Sequence, residues 1–167
     1  MGGESWVLTI DDGTTSMSSD GRQSERALAI RRGVGRLLAQ QGEVCLFEFT
    51  LVSGRRADIL AVAPDGKITI VEVKSSLADL QADHKWKDYL PFCDHFSFAT
   101  APDVPLDPFP GEEGLMIADG FGAHIVRLPV NRPLHASRRK ALTLRVARQA
   151  VGRLQQLDDP NLNLPDA

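Results

Sequence analysis

The stretch that most constrains this chain is RRADILAVAPDGKITIVEVK, residues 55–74. Residues 57–63 and 68–73 are short, apolar and rich in β-branched side chains, and they flank Pro64, Asp65 and Gly66. Two such runs around a Pro-Asp-Gly turn predict the strands of a hairpin. A three-residue loop built on a type I turn, with glycine in the left-handed position, pairs Ala63 with Lys67. That register sets Asp58 opposite Glu72 and Arg56 opposite Lys74. Facing residues on one surface of a sheet have Cβ atoms about 5 Å apart, where like charges repel. Two facing carboxylates inside strands this apolar call for a cation between them.

Residues 44–51 (VCLFEFTL) repeat the arrangement, with Gly54 closing the turn that follows. The same loop type pairs Leu51 with Arg55 and puts Glu48 opposite Asp58. Three carboxylates are then predicted in a row across three strands, with Lys74 one step further along the same face. A slip of one residue would move the partners to opposite faces. The charged face also carries Val44, Leu46, Leu60, Val62, Ile68 and Ile70, and the other carries Phe47, Phe49, Ile59, Val71 and Val73. A sheet apolar on both surfaces is covered by helices on both. Glu72-Val73-Lys74 alone would equally describe the solvated side of an ordinary hairpin. Its doubly apolar surroundings point instead to a site.

Asp58 on one strand and Glu72-Val73-Lys74 on the next resemble the PD-(D/E)XK nuclease superfamily, with Ala57 in place of the proline of its name. A wider string resembles the MmcB-type bacterial DNA repair proteins, over about residues 22–157. It comprises Gly54-Arg55-Arg56-Ala57-Asp58, Glu72-Val73-Lys74-Ser75-Ser76, Asp83-His84-Lys85-Trp86, Tyr89 and Cys93-Asp94. The resemblance implies an α/β, restriction-endonuclease-like fold: a mixed central sheet flanked by helices on both faces, with an αβββαβ core. It implies metal-dependent hydrolysis of DNA phosphodiesters in repair, with Asp58, Glu72 and Lys74 catalytic. Mg²⁺ or Mn²⁺ would sit on Asp58, Glu72 and the Val73 carbonyl, with Glu48 completing the shell or holding a second ion. Lys74 would orient the attacking water or help deprotonate it. Arg55, Arg56, Lys85, Trp86 and Tyr89 are the candidate DNA contacts. Two alternatives stand beside this reading: a non-catalytic DNA-binding or adaptor protein that kept the fold, and a structural domain whose hairpin charges are merely solvated.

The remaining sequence sets the frame. A length of 167 residues suits one domain with a substantial core, and 43% hydrophobic with 25% charged residues is an ordinary globular balance. With a net charge of −3, DNA binding needs a local basic patch. No apolar run approaches the length of a membrane span, and the N-terminus lacks a secretory pattern. Cys45 and Cys93 lack CxxC spacing and read as buried thiols of a cytoplasmic protein. DNA is the expected partner, with other repair proteins or a second copy of the chain as further candidates and no membrane. His84, His95, His124 and His135 show no metal-binding spacing.

Residues 1–21 read as a loose tail in which residues 6–10 (WVLTI) can dock as an edge strand. Residues 22–157 form the domain, and residues 158–167 form a second tail. A helix is predicted over residues 23–41, capped by Ser24 and stopped by Gly42, with Arg31, Arg32 and Arg36 on its surface. Gly33-Val34-Gly35 lacks the preceding strand and third glycine of a dinucleotide loop. A second helix should start at the Ser76 cap and run to about Leu90, with Asp83 and Lys87 as an intrahelical pair. A strand over residues 95–99, a proline-rich loop, a hairpin around residues 119–122 and a basic helix over residues 137–157 complete the chain. That last helix, carrying Leu142, Val146, Ala150, Leu154 and Leu157 on its apolar side, is either solvated or DNA-facing.

Overall fold

The computed structural model describes residues 24–164. The tail at residues 1–21 and its predicted edge strand therefore lie outside the described residues. The two three-residue loops close as predicted. Leu51 N donates to Arg55 O at 2.8 Å and Ala63 N to Lys67 O at 2.9 Å. Gly54 and Gly66 both sit at φ +81°, a conformation that glycine alone adopts freely. Strands β1 (Val44–Thr50), β2 (Arg56–Val62) and β3 (Ile68–Lys74) follow in antiparallel order. Phe47 faces Ile59 and Phe49 faces Ala57 across β1 and β2, while Ile59 faces Val71 across β2 and β3. Both predicted registers hold.

Helix α1 (Glu25–Gln40) precedes these strands, with the Ser24 hydroxyl accepting from Ala27 N at 3.2 Å and Gly42 at φ +82° beyond its end. It buries Ile30, Val34 and Leu38 against the sheet. Gly33 serves contact rather than ligand binding, because a Cβ there would overlap the carbonyl oxygens of Asp119 and Gly122. After β3 the chain crosses over through helix α2 (Leu77–Ala82) and a 3-10 turn (Trp86–Phe92) to reach β4 (His95–Thr100), parallel to β3. Strand β5 (Gly114–Ala118) is parallel to β4, and β6 (Ala123–Arg127) returns antiparallel. The result is a six-stranded mixed sheet in the order β1-β2-β3-β4-β5-β6, with the expected αβββαβ core. All seven residues of β3 are buried, as a strand covered on both faces must be.

Two expectations are corrected here. The second helix stops at Ala82 instead of Leu90 because Asp83 leaves helical geometry (φ −91°, ψ 100°) to satisfy partners elsewhere. One of its oxygens accepts from Lys85 N at 2.8 Å, the other from Lys74 Nζ at 2.7 Å, so the predicted pairing with Lys87 does not form. In α3 (Ala136–Asp158), Leu142 is buried but Leu154 and Leu157 are 62% and 79% exposed, so the apolar side predicted for this helix is only half used.

The basic residues of α3 are largely spent on architecture. Arg145 and Gln149 donate to Thr50 O, and Arg153 donates to the carbonyls of Phe47 and Glu48, which seals the outer edge of β1. Arg139 grips both oxygens of Asp94 at 2.6 and 2.8 Å, while Ile68 N and Leu134 N donate to the same carboxylate. Asp94 thus ties the start of β3, the approach to α3 and α3 itself into one knot. Burial alone would raise its pKa. The Arg139 fork and the two amides outweigh burial and hold it at about 2. Cys93 is buried and Cys45 half-buried, both free thiols. No described helix is long and apolar enough to cross a membrane.

Candidate active site

The site forms where the β2–β3 ladder stops. Paired residues run from Val62 and Ile68 to Ile59 and Val71, and one step further the strands part. There the Asp58 carboxylate, rather than a backbone carbonyl, accepts from Val73 N at 2.8 Å. Asp58 and Glu72 are therefore neighbours at the mouth of a splayed strand pair, as the register predicts. On its other side β3 stays paired with β4 as far as Lys74 and Thr100, and the Thr100 hydroxyl donates to Lys74 O at 2.8 Å. One flank is paired to the end of β3 while the other is unpaired from Asp58 onward, which holds Glu72 and Lys74 at the mouth of the strands.

Glu72 and Lys74 are 9% and 4% exposed, so neither is a solvated hairpin charge. Lys74 Nζ lies 3.4 Å from Glu72 Oε1 and 2.7 Å from Asp83 Oδ2. Glu72 Oε2 is buried and has no hydrogen-bond partner. Burial first, and then the Asp58 charge, push the Glu72 pKa up to about 8. Asp58 is pushed up as well, by burial and by the charges of Glu48 and Asp79, against the opposing pull of the Val73 amide and Lys74. Burial would lower the Lys74 pKa, but Glu72 and Asp83 outweigh it and keep the amine an ammonium. Lys74 is thus shared between the carboxylates of Glu72 and Asp83, and Asp58 is a third acid beside them.

The unpartnered Glu72 oxygen is the test of fit for a cation. An orphaned buried carboxylate oxygen next to a second carboxylate, with all donors oxygen, suits a hard divalent ion such as Mg²⁺ or Mn²⁺. Among the described residues no cluster of three or more His, Cys, Asp or Glu side chains converges on one point. Asp58 and Glu72 alone fit an ion that keeps several waters, the usual habit of Mg²⁺.

Glu48 stands apart from the predicted row. Its φ is +53°, the only positive value on a non-glycine among the described residues, and the β1–β2 ladder skips it. Its carboxylate is spanned by Arg31 (3.0 Å) and Arg56 (2.9 Å), with Arg31 also over the Phe47 ring. Each oxygen has one arginine, so Glu48 is held in an arginine clamp beside the site. This also assigns Arg56 to an acid, leaving Arg55 at the mouth, where it is paired with Asp88 (2.8 Å).

The cavity itself, of about 290 Å³, is lined by Arg55, Glu72, Lys74, Asp83, His84, Lys85 and Tyr89. Tyr89 and Trp86 are both anchored by ring stacking. Tyr89 is buried, donates to Arg56 O at 2.9 Å and stacks on Phe96. Trp86 stacks on Phe96 at 5.6 Å and meets Phe98 edge-on. Tyr89 lines the pocket, and Trp86 packs outside that lining with Lys87 Nζ 5.6 Å from its ring centroid. Asp83, Asp88 and Arg31 were not predicted as partners of site residues. Each lies far in sequence from its counterpart, and no local spacing announces the contact.

The architecture, a mixed sheet flanked by helices with an acid on β2 and Glu-x-Lys on β3, is consistent with the restriction-endonuclease-like fold. Residues 14–161 match the family described as DNA repair protein MmcB-like, and the chain belongs to that family. Among solved structures it is similar to SPO1766, a protein of unknown function from Silicibacter pomeroyi. The two are 38% identical with a TM-score of 0.81, over 87% of this chain and 100% of the other. No curated protein matches the chain.

Proposed function

We propose that this protein is a metal-dependent nuclease that hydrolyses DNA phosphodiesters in repair. Family membership supports the repair role and DNA as the partner. The observation that carries the chemistry is the unpartnered, buried Glu72 Oε2 beside Asp58 and within one side chain of Lys74. Asp58 and Glu72 would hold Mg²⁺ or Mn²⁺, which supplies Lewis acidity toward a phosphate oxygen and a more acidic water. Water oxygen bonds to phosphorus, one P–O ester bond breaks, and the proton lost by water ends on the departing sugar oxygen. Lys74 would orient the attacking water or help deprotonate it, and would offset charge on the phosphate. Arg55 and Lys85 line the mouth where the strand would lie.

The second reading, a DNA-binding adaptor without turnover, has its own observation. Lys74 is already committed to Asp83 at 2.7 Å, which would hold it away from a substrate. Labelled single-stranded, duplex, nicked and branched DNA, incubated with Mg²⁺ or Mn²⁺, separates the two readings. The nuclease cuts at least one of them, while Glu72→Gln and Lys74→Ala bind DNA but do not cut. Metal-independent binding without cleavage, unchanged in Glu72→Gln, would identify the adaptor.

A further inference from the structure

Among the described Phe, Tyr and Trp residues, Phe121 alone is exposed, at 85%. A single exposed apolar side chain is ordinary on a surface. Its bracing and its place in the sheet set Phe121 apart. It lies in the turn between β5 and β6, and both the turn and α1 hold it. Asp119 Oδ1 accepts from Phe121 N at 2.7 Å and from Gly122 N at 2.9 Å, and Asp119 N donates to Gly122 O at 3.0 Å. Arg36 of α1 donates to Gly120 O at 2.9 Å and to Phe121 O at 3.1 Å. Gly33 lets α1 press against the carbonyls of Asp119 and Gly122. A turn fixed in this way presents its aromatic group at little further entropic cost on binding.

Strands β3, β4 and β5 are parallel, so their C-terminal ends share one end of the sheet. Lys74, Thr100 and Ile117 form one rung there, and the turn follows directly on Ala118. At about 4.8 Å per strand, the turn lies about 10–14 Å from Lys74 across that end, or about three to four nucleotides at about 3.4 Å each. Arg36 puts a positive charge beside the turn, while the Asp119 carboxylate is taken up by two backbone amides. A depression of about 540 Å³, bordered by Pro102, Ile117, Phe121 and His124, opens at the same place. We infer that Phe121 is a stacking platform for an unpaired base of a DNA strand whose phosphodiester lies at the Glu72–Lys74 pocket. This rests on the DNA-directed function proposed above and gives it a second contact. An aromatic ring stacks on any base, so the contact grips a strand without reading its sequence. Bases inside a duplex are already stacked on one another, so the favoured substrate is single-stranded or frayed at this distance from the pocket.

Fluorescence anisotropy with Mg²⁺ tests this on the full chain carrying Glu72→Gln, which under the proposed function binds DNA without cutting it. Phe121→Ala and Phe121→Trp are added to that chain, and the exposure of Phe121 keeps both changes out of the core. The probes are a labelled single strand and an abasic strand of the same length, which keeps the phosphates and lacks the bases. Phe121→Ala should weaken binding to the single strand about fivefold or more and leave binding to the abasic strand unchanged. Phe121→Trp should keep the parent affinity for both. An unchanged affinity of Phe121→Ala for the single strand, an equal loss on the abasic strand, or a loss that Phe121→Trp shares would overturn the inference and leave the DNA-directed function standing. Binding to neither strand with Phe121 intact would overturn that function and the inference with it.

Discussion

At the scale of single residues, the family-like string divides into chemistry and scaffold. Glu72 and Lys74 are buried charges gathered at a pocket, whereas Asp94 spends its carboxylate on Arg139, Ile68 N and Leu134 N. A carboxylate whose folded pKa lies below its unfolded value adds stability above the unfolded pKa, and that stability is lost as pH falls through the folded one. For Asp94 the window lies between the ordinary aspartate value of 3.8 and about 2. Asp94→Asn should therefore cost about 2–3 kcal/mol in urea unfolding at neutral pH. The gap to wild type should hold down to about pH 4 and narrow below it. DNA cleavage at neutral pH, where the variant still folds, should survive, because Asp94 lies outside the pocket lining. Tyr89 makes the complementary point: an aromatic in a recognisable motif is held by a core ring stack and a backbone carbonyl.

At the scale of elements, close packing overrides local preference. An alanine for a mid-helix glycine normally stabilises a helix by about 1 kcal/mol. In α1, Gly33→Ala should do the reverse, because its Cβ would meet the backbone oxygens of Asp119 and Gly122, which cannot swing aside. A loss of about 2 kcal/mol or more in thermal or urea unfolding is expected; an unchanged or raised Tm would show that the hairpin gives way. The same contrast decides what was legible in the sequence. Both strand registers were, since Gly54 and Gly66 specify loops of defined length and pairing has a period of two. The break after Ala82 was not, because Asp83 suits an intrahelical pair with Lys87 just as well, and only the fold brings Lys74 within 2.7 Å. The kink at Glu48 was equally hidden. Its cause is a clamp of Arg31, Arg56 and Arg153 drawn from three separate elements.

At the scale of the whole molecule, a net charge of −3 means that DNA contact needs a local basic patch. The arginines of α3 that sequence left open as a DNA face are mostly bound to backbone oxygens and to Asp94. Around the pocket, Arg55 and Lys85 remain at the mouth, with Lys87 beside Trp86. About three phosphate contacts correspond to a slope of about −3 in log K against log salt. A slope much steeper than that in a fluorescence binding titration would bring α3 back as a DNA surface. The proposed centre is narrower: Asp58 and Glu72 would hold a divalent cation beside the orphaned Glu72 oxygen. Mn²⁺ titration followed by electron paramagnetic resonance, on wild type, Asp58→Asn and Glu72→Gln, measures this directly. Wild type should take up one Mn²⁺ per chain and both variants should lose it. Uptake unchanged by Glu72→Gln, or none in wild type, would contradict the account.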